Sequence, residues 1–194
     1  MSTTSLLIAL FLLSTFGLPL QSQSPDEPAE PEQSSFGGEE VPGIPFIKRP
    51  ASIPPAALQI LKQDDTVKGC LRDNEATADK PFVSWFVASE VHLDGQRERD
   101  LVVLPNPRWQ PGYGCFYSAS GIRWFWIFRK TGEQYNSVLT TTGNGIEILQ
   151  DKHAGFRDIR SGTIGSAGRF LTTVIFHFDG KQYQEFDEET KENR

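Results

Sequence analysis

The stretch from Glu90 to Asp100 contains the residues best suited to chemistry. It places His92 among four carboxylates within eleven residues. A histidine beside a carboxylate can transfer protons, so one hypothesis is a small secreted hydrolase that uses His92 with Glu90 or Asp94. No G-x-S-x-G elbow, HExxH motif or phosphate-binding loop is present in the sequence. The sequence therefore assigns no catalytic residue and favours a protein that is not an enzyme.

The same stretch also has the approximate spacing of a calcium-binding turn, which uses acidic oxygens at alternate positions and a glycine at the bend. Here His92 stands in place of the first aspartate, Gln96 replaces an acidic oxygen and Arg97 replaces the glycine. These changes, together with the positive charge of Arg97, disfavour calcium. We therefore predict a charged hairpin turn, with no metal ligand and no cofactor.

The other two histidines and a Gly- and Ser-rich stretch have simple structural explanations. His153 lies in the polar turn DKHAGF, and His177 alternates with apolar residues in a predicted strand, which favours a structural role. Residues 161–168 predict a flexible loop. Beside its neighbouring arginines this loop could hold an anion, although an ordinary hairpin is the favoured interpretation.

The loop PNPRWQPGYG is the best candidate for a binding surface. It carries Arg108, Trp109 and Tyr113 between prolines and glycines. Aromatic residues in loops often serve recognition, so this loop is predicted to contact a protein or a glycan outside the cytoplasm. The alternative is a tryptophan that folds back over the core. Trp124 and Trp126 alternate within a strand, where a core role is favoured over a carbohydrate-stacking platform.

The elements that must position these residues are mostly strands. Runs of β-branched and aromatic residues, separated by turn residues, predict strands at 82–91, 100–104, 114–119, 122–130, 134–140, 145–150, 156–161, 169–178 and 181–186. Short connections predict that consecutive strands pair antiparallel. Before them, prolines in a first turn predict a helix from about residue 52, and a second short helix from Asp64. The predicted fold class is mainly β (α+β), an antiparallel sheet or meander with one or two short N-terminal helices.

The strand at 122–130 has two distinct faces. Trp124, Trp126 and Phe128 form an apolar face that must pack on the helix or on a folded-over sheet. The other face mixes Phe125 and Ile127 with arginines, which is typical of a central strand near a surface.

Four motifs resemble those of a group of uncharacterised secreted bacterial β-rich proteins. They are HLDGQRERDLVV (92–103), WFWIFRKTGEQY (124–135), GFRDI (155–159) and FHFDGKQY (176–183). The first is similar to a degenerate FG-GAP/VCBS-like turn, and the last contains the C-terminal FDGxxY motif of the group. The resemblance implies an exported β-rich domain and no particular activity.

The N-terminus and the cysteines also indicate export. The apolar run Leu6–Leu20 has 15 residues and is followed by polar ones. A membrane span needs about 20 residues, so residues 1–24 predict a signal peptide, with a retained anchor as the alternative. In an oxidising compartment Cys70 and Cys115 predict one disulfide, and two separate buried thiols are the alternative.

The net charge of −6 is concentrated near the two ends of the chain. We predict a disordered Pro- and Glu-rich linker over residues 25–50, one nearly neutral β-rich domain over 51–186 and an acidic tail over 187–194. No region concentrates lysine and arginine, which excludes a strongly basic nucleic-acid binder. The sequence thus predicts a secreted or periplasmic monomer that binds an extracytoplasmic protein or glycan. An extracytoplasmic enzyme inhibitor is a further alternative.

Overall fold

A computed structural model describes residues 32–37, 47–74, 81–95, 98–107, 115–118, 120–165 and 168–192. The helices are α1 (Pro55–Gln63) and α2 (Asp65–Asn74), and a 3-10 turn (Phe82–Trp85) follows them. The strands are β1 (Ser35–Gly37), β2 (Phe86–Val91), β3 (Asp100–Pro105), β4 (Arg123–Thr131), β5 (Gln134–Gly143), β6 (Gly145–His153), β7 (Phe156–Gly165), β8 (Phe170–Phe178) and β9 (Tyr183–Glu192). The predicted mainly β class, with antiparallel pairing and two short N-terminal helices, is confirmed.

The strands form two antiparallel sheets. One has four strands in the order β2-β3-β4-β5, and the other has five in the order β1-β6-β7-β8-β9. The chain passes between the sheets at Asn144, so β5 and β6 do not pair. The expectation that consecutive strands pair therefore fails between β5 and β6, although a single residue connects them, and β1 likewise pairs with β6 and not with β2.

Hydrogen bonds and close packing at the junction explain the change of sheet. The buried Asn144 side chain donates to the carbonyl of Ser120 at 2.8 Å and accepts from the backbone N–H of Ile164 at 2.6 Å. A Cβ at Gly143 would lie 2.5 Å from the Ser161 hydroxyl, so only glycine allows β5 to end this close to β7. The chain therefore bends into the second sheet instead of forming a hairpin.

The four-stranded sheet lies between the helices and the five-stranded sheet. Along β4, Phe125 and Ile127 belong to the core between the sheets, whereas Trp126 and Phe128 belong to the core that includes residues of α1 and α2. The predicted helix-facing side of this strand is confirmed. Its other side is more deeply buried than the sequence suggests, because the second sheet covers it.

Asp64 lies between the two helices and caps the second one, which a disulfide also links to the chain at Cys115. The Asp64 carboxylate accepts the backbone N–H groups of Thr66 and Val67 at 3.0 and 3.1 Å, which satisfies donors that the first turn of α2 leaves free. Cys70 of α2 forms the predicted disulfide with Cys115, and their Cα atoms are 5.5 Å apart. The described part of the chain contains no helix with the length and hydrophobicity of a membrane span.

Three segments are more ordered than their composition suggests. Within the predicted linker, β1 pairs with β6 and its Phe36 is completely buried between the sheets. β7 continues to Gly165 through a stretch that the sequence predicts as loop, and β9 continues through most of the predicted tail. The composition of a segment is an average, so it does not reveal that one side chain is buried or that the backbone pairs with a neighbouring strand. From the predicted strand at 114–119, the described residues contribute one isolated bridge, between Tyr117 and Arg123.

Candidate functional site

The predicted binding loop lies outside the described residues. Arg108, Trp109 and Tyr113 all fall in residues 108–114, which the structure does not describe. Their role in recognition therefore stays a prediction.

His92 and Glu90 have different hydrogen-bond partners in the structure. His92 Nδ1 lies 2.9 Å from Glu32 Oε1, whereas Glu90 accepts from Arg99 Nη1 at 2.6 Å. The hydrogen bond to Glu90 raises the pKa of Arg99. Among the described residues, His92 belongs to no group of three potential ligands with Glu90 and Asp94. The hypothesis of a hydrolase that uses His92 with Glu90 or Asp94 stays a prediction.

The acids of the following turn hold neighbouring backbone in place. Asp100 is 2 % exposed, and its two carboxylate oxygens accept the backbone N–H groups of Leu93 at 3.1 Å and Lys130 at 2.8 Å. Burial raises the pKa of Asp100 to about 6, even though both hydrogen bonds act in the opposite direction. Glu98 accepts the N–H of Gly132 at 3.0 Å. Hydrogen bonds to Asp100 and Glu98 thus hold the turn against the β4–β5 hairpin.

A different cluster brings together His153, Asp158 and His177. His153 ends β6, Asp158 lies in β7 and His177 lies near the end of β8. A two-residue turn of Ala154 (φ 49°) and Gly155 (φ 85°) joins β6 to β7. Positive φ at both positions is typical of a type I′ hairpin, which sets the pairing of the two strands. The register of β7 with β8 then brings His177 beside Asp158.

The three side chains are in direct contact. His153 Nδ1 lies 2.8 Å from Asp158 Oδ1, and His177 Nε2 lies 3.4 Å from Asp158 Oδ2. The two imidazole rings stack with their centroids 3.5 Å apart and their planes 12° apart. Phe186 of β9 stacks on the His177 ring at 3.9 Å. His177 is therefore held between one imidazole and one phenyl ring.

Exposure differs sharply across the cluster. The Asp158 side chain is 3 % exposed, that of His177 is 17 % and that of His153 is 50 %. A buried carboxylate needs charge or hydrogen-bond compensation, and the two imidazoles are placed to supply it. The sequence gives no sign of this cluster, because His153 and His177 are 24 positions apart and share no motif. The alternation of polar and apolar residues around His177 indicates a strand, but it does not indicate which side chains contact His177.

A groove of about 460 Å³ lies beside the cluster on the five-stranded sheet. Arg160, Ile175 and Asp187 are paired across β7, β8 and β9. Their neighbours Ile159 and Phe176 belong to the core between the sheets, so Arg160, Ile175 and Asp187 point to the outer face. The groove is lined by Asn144, Gly145, Ile146, Glu147, Arg160, Gly162, Ile164, Leu171, Thr173, Ile175, Asp187, Glu189 and Lys191.

Comparison with known proteins reveals no relationship: no family model, no curated protein and no solved structure matches the chain. The resemblance to secreted β-rich proteins therefore stays a prediction.

Proposed function

We propose that the protein is an exported, non-catalytic binding module that holds an extended basic segment of a partner protein in the outer groove. The observation that carries this proposal is the groove, with its apolar floor and an acidic strand along one side. Export is supported by the apolar run near the N-terminus and by the disulfide between Cys70 and Cys115, because disulfides persist in oxidising compartments.

The floor of the groove offers apolar contact area. Ile164, Leu171 and Ile175 line it, and Leu171 is 38 % exposed, one of the few large apolar side chains with such exposure in the described residues. An exposed apolar surface inside a groove is typical of a recognition site. A partner in extended conformation would direct every second side chain to this floor.

The charge along the groove favours a basic partner. Arg160 forms an ion pair with Glu147, so much of the charge on that side is neutralised. On β9, Asp187 and Glu189 both line the groove, and Lys191, the one basic lining residue there, forms an ion pair with Glu189 at 2.8 Å. Asp187 therefore carries the remaining acidic charge on this side of the groove. Lysine or arginine side chains of an extended segment would complement this acidic strand, and such complementarity adds specificity and association rate.

The lining favours a peptide over a glycan. Sugar-binding sites commonly present aromatic rings for stacking, whereas the lining residues named above contain no aromatic side chain. Gly145 and Gly162 have no side chain, so they leave room for the main chain of a bound peptide to approach. The loop that carries Trp109 is a separate predicted binding surface.

Selection of short random peptides displayed on phage tests the proposal. The oxidised full-length protein is immobilised, and enriched peptides are then measured against Leu171→Glu and Val83→Glu. Val83 is 43 % exposed in the 3-10 turn and provides the matched control, because the same substitution is made at a similarly exposed apolar residue. We expect enriched peptides to alternate apolar with basic residues, to bind Val83→Glu normally and to bind Leu171→Glu about tenfold more weakly or worse.

Equal binding to both variants would contradict the groove as the binding site. If the protein binds soluble oligosaccharides and Leu171→Glu abolishes this binding, the ligand of the groove is a glycan and not a peptide. Enrichment of acidic peptides would show that the charge argument is wrong.

A further inference from the structure

We propose that His153, Asp158 and His177 form a binding site for one divalent transition-metal ion of the zinc class. This inference concerns the cluster alone and does not rest on the proposed peptide groove. It starts from three side chains on three adjacent strands, whose potential ligand atoms all lie within 4.8 Å of one another.

The donor types select the class of ion. Two imidazole nitrogens and one carboxylate oxygen suit zinc, cobalt, nickel and copper, whereas calcium and magnesium prefer an all-oxygen set. Three protein ligands also leave at least one position of a tetrahedral ion for water or another ligand. Because half of the His153 side chain is exposed, solvent can reach this side of the cluster.

The distances are close to those that an ion requires. Zinc binds nitrogen and oxygen at about 2.0 to 2.2 Å, so two ligands of a tetrahedral ion lie about 3.4 Å apart. The separation between His177 Nε2 and Asp158 Oδ2 is 3.4 Å, and that between His153 Nδ1 and Asp158 Oδ1 is 2.8 Å. Binding thus needs the His153 ring to move outward slightly and tilt away from its parallel stack, so that both nitrogens point at one ion.

The surrounding contacts allow this movement and hold the other two ligands. His153 lies at the end of a hairpin with half of its side chain exposed, so its ring has room to rotate. Asp158 is buried in β7, and Phe186 packs against the ring of His177. Two ligands are therefore held in place before binding, and the third completes the site. Supported ligands of this kind raise metal affinity.

The alternative is a hydrogen-bonded histidine–aspartate–histidine cluster without an ion. In that arrangement each neutral imidazole donates an N–H to the buried carboxylate, and the contacts are equally short. The two explanations differ in one measurable property, which is stoichiometric binding of a transition metal that depends on both histidines.

Isothermal titration of the oxidised full-length protein, purified without a histidine tag, with zinc chloride alone tests the proposal. We expect one zinc ion per chain, and cobalt in its place should give visible absorption bands of a nitrogen- and oxygen-ligated ion. His153→Ala and His177→Ala should each weaken zinc binding by about tenfold or more. His92→Ala is the matched control, since His92 also lies 2.9 Å from a carboxylate, that of Glu32, but belongs to no group of three potential ligands among the described residues.

Circular dichroism checks that each variant is folded. His153→Ala is expected to disturb the fold least, because half of the His153 side chain is exposed. Absence of stoichiometric zinc binding in the wild type would overturn the proposal. Unchanged affinity in His153→Ala, or an equal loss in His92→Ala, would also overturn it.

Discussion

Asp100 should make the protein less stable as the pH rises through about 6. Its carboxyl group is almost fully buried, and burial disfavours the charged form. The N–H groups of Leu93 and Lys130 favour the charged form, yet the balance raises the pKa to about 6 from an ordinary value of 3.8. The perturbation that isolates this effect is Asp100→Asn, which keeps one acceptor oxygen and cannot ionise.

The sign and size follow from the two pKa values. Between about pH 4 and pH 6 the unfolded chain releases the Asp100 proton while the folded chain retains it, so rising pH favours unfolding. The stabilisation is fully present below the ordinary pKa of the carboxyl group and is lost as the pH passes the folded value. A shift of about two pKa units, at about 1.4 kcal/mol each, corresponds to about 3 kcal/mol across the window.

Urea unfolding at several values between pH 4 and pH 8 measures this effect. The free energy of unfolding of the wild type, minus that of Asp100→Asn, should fall by about 2.5 kcal/mol over this range. Asp65→Asn serves as a control, because it removes a carboxyl group that is not buried: the Asp65 side chain is 99 % exposed.

A difference between wild type and Asp100→Asn that is constant with pH would refute the reasoning. A difference that grows with pH would show that the two backbone hydrogen bonds outweigh burial and hold the pKa below its ordinary value.

Three further predictions concern stability in urea or guanidinium. Replacing both Cys70 and Cys115 by alanine should lower the free energy of unfolding by about 4 kcal/mol, because the disulfide closes a loop with a sequence separation of 45; a loss near zero would contradict this. Phe36→Ala should cost about 3 kcal/mol or more because the ring is fully buried, and a loss no larger than that of the exposed Val83→Ala would show that β1 adds little. Ala154→Asn should raise stability by about 0.5 to 1 kcal/mol, because asparagine tolerates the φ of 49° and completes an Asn-Gly turn; destabilisation would contradict the turn assignment.

Local features of the chain were predictable because short-range physics decides them. The hairpin at Asp179-Gly180 follows from turn chemistry, and the Asp179 carboxylate indeed accepts the N–H groups of Lys181 and Gln182 at 2.8 Å. These bonds also lower the pKa of Asp179. The two faces of β4 follow from the alternation of its side chains. A pair of cysteines in an otherwise cysteine-free chain leaves a single possible intramolecular disulfide.

The sequence by itself determined where most of the strands and turns lie, that the chain is mainly β, and which cysteines pair. Only the tertiary structure decided that the chain changes sheets at Asn144, that Phe36 adds an edge strand, and that His153 and His177 meet at Asp158. The physical reason is that turns and alternation depend on adjacent residues. The neighbours of a side chain across a sheet depend instead on strand order and register, and these are set by the packing of the whole core.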